Sequence, residues 1–250
     1  MAQQPETYFY GQGKVYLAKR DATGKPKSWR WIGDVSALSL ALTVENLTHR
    51  ESYSGQRATV RRFPTSKDGT VTSTWHQYSP QNLSQVLYGE HAVIPAGTVT
   101  GEALGSNIAA GDRLTLAQQN VSDVVIGTLV AGTDYEVDAM YGAIEFLTPQ
   151  AGAVSANYSY AGGINTTLFS VQPENLALRY EGINLAEGGK AVIVELYKLA
   201  FDPVSALALI NNDTSLASLE TTAGVLFDTA RPNDPLLGRF GRIINVAESA

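Results

Sequence analysis

Alternating apolar and polar residues run through most of the chain. Residues 35–44 read V-S-A-L-S-L-A-L-T-V, with Leu38, Leu40, Leu42 and Val44 on one side and small or hydroxyl residues on the other. A period of two predicts a half-buried strand. Similar runs predict further strands over residues 13–18, 29–32, 69–76, 166–172, 175–180, 191–201, 216–228 and 238–246. The fold class is therefore predicted to be mainly β.

A single segment has a helical pattern. Ser79 is a suitable N-cap, Pro80 suits the first helical position and Gly89 suits the position after the helix. Leu83, Val86 and Leu87 form one apolar stripe. These signals predict a short flanking α-helix over about residues 79–89, whereas residues 202–210 permit either a helix or a strand.

The composition changes over residues 92–163. This stretch is rich in Gly, Ala, Val and Thr and contains one basic residue, Arg113. A meander is predicted over residues 134–139, 143–147 and 154–160, and the glycines of residues 161–163 suggest a hinge. We therefore predict a main domain formed by residues 1–91 and 164–250, with residues 92–163 inserted as a β-rich subdomain or an extended loop region.

The most unusual segment spans about residues 48–68 and is long, polar and basic. Connections beyond roughly 12–15 residues without their own structure are usually functional or disordered. We predict a long loop that is mobile in the free protein and contacts another copy of the chain. The candidate contact residues are His49, Arg50, Glu51, Tyr53, Arg57, Arg61, Arg62 and Lys67.

Charge is distributed unevenly along the chain. The net charge is −6, but residues 1–75 have a charge of +5 and the remainder −11. A basic first third is compatible with nucleic-acid binding, with a self-complementary pair of surfaces, or with two solvated surfaces that simply differ. The overall acidity argues against a protein that grips DNA phosphates tightly.

Candidate chemical sites are few. Asp134, Glu136 and Asp138 share one strand face and could hold a hard cation, but the pattern favours a solvated polar face with Tyr135 and Val137 turned inward. The three histidines lack zinc-site spacing, and no G-x-S-x-G sequence is present. We predict no enzyme, no metal and no cofactor.

Other signals place limits on the class of protein. The chain has no cysteine, which fits assembly in a reducing cytosol. The first residues do not resemble a signal peptide, and no apolar run is long enough for a membrane span. Trp29, Trp31 and Trp75 could stack on sugars or bases, although packing in a core or an interface is the commoner use.

The order of these features resembles the major tail tube proteins of long-tailed, siphovirus-type bacteriophages. The matching stretches are Trp31 to Val35 with the alternating strand over residues 38–44, the basic segment from His49 to Arg57, the strand over residues 71–75 and the capped helix over residues 79–89. Later matches are residues 132–138, 142–144, 225–228 and 237–240. The resemblance covers most of the chain by the order of its elements, and its motifs contain no invariant chemical signature.

The resemblance implies a tail-tube-type β-sandwich or barrel whose copies form stacked, hexameric rings. Their joined strands surround a lumen through which DNA passes without specific binding. The implied partners are other copies of the chain and the tail tip or baseplate, tape measure and tail terminator proteins. The implied location is the virion tail, after assembly in the host bacterial cytoplasm. Alternatives are a carbohydrate-binding or adhesive β-sandwich, a tube protein of a contractile tail or secretion system, and a hydrolase on a β scaffold.

Overall fold

The computed structural model describes residues 6–212, 214 and 216–246. About half of the chain is strand, and the only α-helix among the described residues is short, which confirms the prediction of a mainly β protein. Contacts divide the chain into two compact units, one formed by Met1–Glu90 with Thr166–Ala250 and the other by His91–Asn165.

The first unit is built on one eight-stranded antiparallel sheet. Its strands follow the order β2-β1-β13-β14-β15-β4-β3, and β16 also pairs with β14. The strands are β1 (Gly11–Arg20), β2 (Pro26–Trp31), β3 (Val35–Arg50), β4 (Thr59–Trp75), β13 (Leu176–Asn184), β14 (Lys190–Phe201), β15 (Leu219–Val225) and β16 (Gly241–Asn245).

Strand β14 is the branch point of this sheet. Its first half, from Val192 to Leu196, pairs with β16, whereas its last three residues pair with β15. The layer formed by β15, β4 and β3 therefore diverges from β16 beside the first half of β14. Beside the second half of β14, apolar side chains pack into a core that includes Val15, Ile32, Trp75, Leu199 and Leu219.

The predicted helix is present as α1 (Pro80–Val86), and Ser79 caps it as predicted by accepting a hydrogen bond from the Asn82 amide. The sequence predicted Gly89 directly after the helix, where a left-handed backbone conformation is common, but that position lies one residue earlier, at Tyr88. Tyr88 adopts positive φ, and the Gly89 amide bonds back to the Ser84 carbonyl. Gly89 is instead required for close packing, because a Cβ there would lie 1.7 Å from the Thr167 carbonyl oxygen.

The second unit has its own small sheets and its own core. Tyr135, Ile144, Phe146 and Tyr158 are buried together there. The strands are β5 (His91–Ile94), β6 (Gly97–Gly105), β7 (Arg113–Thr115), β8 (Val121–Ile126), β9 (Tyr135–Asp138), β10 (Ala143–Phe146), β11 (Val154–Tyr160) and β12 (Gly163–Thr166). The predicted meander is correct only for the hairpin of β9 and β10, because β11 pairs with β6 and β8 in a different sheet. The remaining five strands were missed.

Three local predictions are wrong. Residues 167–172 form no strand, because amides there bond to carbonyls at the end of α1. Residues 202–210 form neither helix nor strand, and the Val204 amide bonds to Val86. The glycine hinge is a paired strand: Gly163 begins β12, and a Cβ on Gly162 would approach the Ile94 oxygen to 2.7 Å.

The predicted long loop over residues 48–68 is also wrong. Strands β3 and β4 pair along their whole length, from Val35 opposite Trp75 to Arg50 opposite Thr59, so that only residues 51–58 connect them. Pairing of β4 with β15 ends at Gly69. Residues 59–68 of β4 and the facing residues 43–50 of β3 therefore extend past the sheet as a two-stranded ribbon.

Candidate functional site

Strand β3 forms one edge of the sheet in the first unit. It has 16 residues and, among the described strands, pairs only with β4. The backbone groups along its outer side are thus available to another strand. A long, open edge of this kind is a template for pairing with a second chain.

The even-numbered apolar residues of β3 are exposed. The prediction that Leu38, Leu40, Leu42 and Val44 form the buried side of a half-buried strand is wrong beyond Leu38, because Leu40, Leu42 and Val44 are 38%, 76% and 48% exposed. The alternation itself is present, since these residues lie on the same side as buried Val71 of β4. What is missing is a covering element within the described chain.

An apolar groove of about 420 Å³ runs beside these side chains. One wall is formed by Leu40, Leu42 and Val44, and the other by residues of β14 and β16 such as Leu196 and Ile243. Ile243 is itself exposed. The separation of β15 from β16 at β14 produces the groove, because no strand fills the gap between the two branches.

The opposite side of the β15-β4-β3 layer is polar. Buried and exposed positions alternate along Gly69–Trp75 and along β15, which separates the two sides sharply. We call the outward side the polar face, and it comprises Ala37, Ser39, Ala41, Thr43, Glu45, Ser66, Asp68, Thr70, Thr72, Thr74, Glu220, Thr222 and Gly224.

The predicted contact residues are distributed over both sides of the ribbon. Arg61 lies opposite His49, whereas Arg62 lies opposite Thr48, so the two arginines point to opposite sides. Lys67 lies opposite Val44 at the border of the groove. Neither these residues nor Arg50 and Arg57 form an ion pair with any residue that the structure describes.

Glu51, one of the predicted contact residues, forms hydrogen bonds within the ribbon itself. Its carboxylate is buried in the tip of the ribbon, where it accepts bonds from the Ser54 hydroxyl and from the amides of Ser54 and Tyr53. The Ser54 hydroxyl and amide, followed by the Tyr53 amide, lower the pKa of Glu51 to about 2. The tip is thus organised internally, and it presents Tyr53, which is 86% exposed, and Arg57, whose φ is +52°.

Sequence reasoning missed three apolar residues on the ribbon. Leu47, Val60 and Phe63 are exposed there, and Leu47 pairs with Phe63 across the strands. A period of two does not mark them, because Leu47 lies three residues after Val44 and Phe63 lies three residues after Val60. Each break in the period accompanies a register shift, one beside Pro64 and one before Arg50.

Charge is divided between the units. Residues 91–165 contain seven acidic residues and one arginine, so this unit has a charge of −6, equal to that of the whole chain. The first unit is neutral overall, and its ribbon is basic. The net negative charge of the chain is therefore that of the second unit.

The other candidate sites have structural explanations. Asp134 accepts bonds from the Val130 amide and the Thr148 hydroxyl, and Asp138 pairs with Arg113 at 2.8 Å. Tyr135 is buried and Val137 is partly buried, as predicted. Within the described residues, no group of three His, Cys, Asp or Glu side chains could hold a metal ion.

The tryptophans are divided between core and surface. Trp75 is buried in the core, whereas Trp29 and Trp31 are exposed on edge strand β2. The Lys14 ammonium lies 5.7 Å from the Trp31 ring centre and so occupies one side of that ring. The described part of the chain contains no helix of the length and hydrophobicity required to cross a membrane.

Comparison with known proteins adds one relationship. The profile of a family described as "Protein of unknown function UCP028589" matches residues 8–244, almost the whole chain. No curated protein matches the sequence.

Proposed function

The chain belongs to this family of unknown function, and we propose that its role is structural: copies associate edge to edge into rings that stack as the tail tube of a long-tailed bacteriophage. The observation that carries the proposal is the open, 16-residue edge of β3 with its exposed leucines. The resemblance described above supplies the biological setting.

An isolated protomer has a physical reason to associate. Native proteins usually protect long edge strands with charges, bulges or a covering segment. From residue 35 to residue 44, β3 contains no charge and no proline. Burying one leucine side chain contributes about 1.5–3 kcal/mol, so covering Leu40 and Leu42 together with new backbone hydrogen bonds favours a second copy on this edge.

The arrangement favours closed rings over dimers. The edge strands β2 and β3 lie at opposite ends of the sheet order and differ in length and sequence. Contacts between unlike surfaces are heterologous, and they produce rings when the rotation closes or filaments when it does not. In our proposal the ring closes with six copies, as in the proteins that the chain resembles.

The ribbon provides a second type of contact, between rings. It extends past the sheet and combines arginines without an ion-pair partner in the described chain with the exposed Leu47 and Phe63. Guanidinium groups suit paired bonds to carboxylates on a neighbouring copy. The tube would then serve as the conduit for DNA in the virion tail, with the tail tip, tape measure and terminator proteins as its other partners.

Negative-stain microscopy and sedimentation velocity over a range of concentration and salt test the proposal. We expect rings or tubes of uniform diameter. A strict monomer under every condition, including in the presence of tail-tip proteins, contradicts it. A monomer that binds glycans through Trp29 and Trp31 would instead favour the adhesive alternative, and tubes that recruit a sheath would favour a contractile tail.

A further inference from the structure

We infer that the groove beside Leu40, Leu42 and Val44 receives an apolar surface from the far end of another copy. We call this surface the apolar end, and it consists of two segments of the first unit, residues 167–171 and 204–210. The inference rests on the proposed function, because it names the surface that the groove contacts when rings stack.

The first argument is that large apolar side chains are exposed together at the apolar end. Leu209 and Ile210 are 84% and 85% exposed, and Leu168 and Phe169 are exposed as well. Single exposed apolar residues are common on protein surfaces, whereas several in neighbouring segments mark an interaction site. The apolar end therefore has surface to bury against a partner.

The second argument is that the apolar end is held in a fixed shape. The Phe169 amide donates to the Leu87 carbonyl and the Val204 amide to the Val86 carbonyl, so both segments are attached to the end of α1. Phe169 has a φ of +50°, which is uncommon for a bulky residue, and its ring packs edge-on against Tyr88 with 6.2 Å between ring centres. A surface that is ordered in advance loses little conformational entropy on binding.

The third argument is position. In the layer formed by β15, β4 and β3, Trp75 lies opposite Leu219 at one end, whereas the ribbon leaves the other end. Residues 202–218 join β14 to Leu219, so Leu209 and Ile210 belong to the end away from the ribbon. The groove lies at the base of the ribbon, because Lys67 is part of its lining. A ribbon that reaches the next ring thus brings its own groove towards the apolar end of another copy.

The fourth argument is complementary shape and chemistry. The groove is lined mainly by aliphatic side chains and has a volume of about 420 Å³. A cavity of about 150 Å³ can hold a benzene molecule, so this groove has room for the side chains of Leu209 and Ile210. The two surfaces are unlike, so their contact is heterologous and can repeat from ring to ring.

Charges beside the two surfaces are also complementary. Residues 50–67, next to the groove, contain five lysines and arginines and one acid, whereas residues 202–220 contain three acids and no lysine or arginine. Lys67, at the border of the groove, has no ion-pair partner in the described chain. Opposite charges around an apolar contact favour the docking of one copy on another over the pairing of two like ends.

Disulfide cross-linking tests the contact, because the chain has no cysteine of its own. Leu42→Cys in the groove is mixed with Ile210→Cys at the apolar end, and the mixture is assembled into tubes and oxidised. Two cysteines can be joined only if their Cα atoms lie within about 7 Å, so Val44→Cys serves as a second groove probe. Ile210→Cys mixed with Thr72→Cys, on the polar face of the same layer, is the matched control.

We expect a cross-linked dimer from assembled tubes of at least one groove mixture, and at least tenfold less from the control mixture and from each variant alone. Tubes without this dimer at either groove probe overturn the inference and leave the proposed function standing. A dimer that forms equally in single, unstacked rings also overturns it, because the groove would then be covered by a neighbour within the ring. If the unmodified protein forms neither rings nor tubes, the proposed function fails as well.

Ile210→Lys provides a second measurement of the same contact. The side chain is exposed, so the free protomer should keep its melting temperature while the concentration required for stacking rises at least tenfold. Ile210→Met keeps an apolar side chain and should stack normally. Leu236→Lys, at another exposed apolar position of the first unit, is the control, and equal effects of the two lysine variants on sedimentation overturn the inference.

Discussion

The Arg20 guanidinium and the Asp228 carboxylate form a buried ion pair, with 2.6 Å between Nη2 and Oδ1 and side-chain exposures of 11% and 2%. The pair joins the end of β1 to the segment after β15. Asp228 also accepts a bond from the Ala230 amide and lies 3.5 Å from the Arg231 Nε. The buried Asp228 carboxylate thus lies near two arginines, Arg231 close in sequence and Arg20 from the other end of the chain.

Removing one partner of this pair should destabilise the first unit strongly. Asp228→Asn leaves Arg20 buried without its counter-charge, and such changes cost about 3–5 kcal/mol. The double variant Arg20→Met/Asp228→Leu should lose less than either single variant, because the two most deeply buried charges are removed together and only the more exposed Arg231 loses a partner. Urea unfolding of Asp228→Asn, Arg20→Met and the double variant checks this, and equal losses in single and double variants would show that the site is limited by packing.

Leu42→Lys should weaken self-association without unfolding the protomer. The side chain is mostly exposed, so the charge is tolerated in the free chain but opposes burial against a second copy. We expect at least a tenfold higher critical concentration for assembly, which corresponds to about 1.4 kcal/mol per contact. Met140→Lys, at an exposed apolar position of the second unit, is the matched control, and equal effects of both variants on sedimentation would discount the edge.

Arg57→Glu/Arg61→Glu/Arg62→Glu should block the stacking of rings while single rings still form. These arginines have no ion-pair partner in the described chain, so the melting temperature should change little. Exposed pairs are worth only roughly 0.2–1 kcal/mol each, but they repeat at every junction between copies. Tubes of normal length in electron micrographs of the triple variant would exclude this role for the ribbon.

Acid should open the tip of the ribbon before it unfolds the sheet. The folded pKa of Glu51 is lowered from its usual 4.5 to about 2, chiefly by the Ser54 hydroxyl and amide. A lowered pKa means that the stabilisation is complete above pH 4.5 and is lost as the pH falls towards 2. The protection factors of the Tyr53 and Ser54 amides, measured by NMR and corrected for the intrinsic pH dependence of amide exchange, should fall across this window in the wild type and be low at all pH values in Glu51→Ala.

Replacing residues 92–163 by a short Gly/Ser linker should leave a folded, ring-competent remainder. Each unit has its own buried core, and the contacts divide the chain close to these positions. Circular dichroism and sedimentation of the deletion product measure the outcome. An unfolded product would show that the inserted strands are required by the first unit.

The sequence alone determined those features that depend on neighbouring residues. The start of α1 follows from Ser79 and Pro80, because capping involves only residues within one turn. The alternation of residues 35–44 placed the two sides of β3 correctly, because successive side chains in a strand point in opposite directions.

Only the tertiary structure decided which of those sides is covered and where the strands end. Pro64 and the register shifts conceal the outer half of β4, and its partner β3 becomes apparent only when the two strands are aligned. The exposure of Leu42 depends on β14, which pairs with β15 and β16 over different residues and so opens the groove. Burial is a property of packing between distant segments, and a local pattern specifies an apolar side without specifying what lies against it.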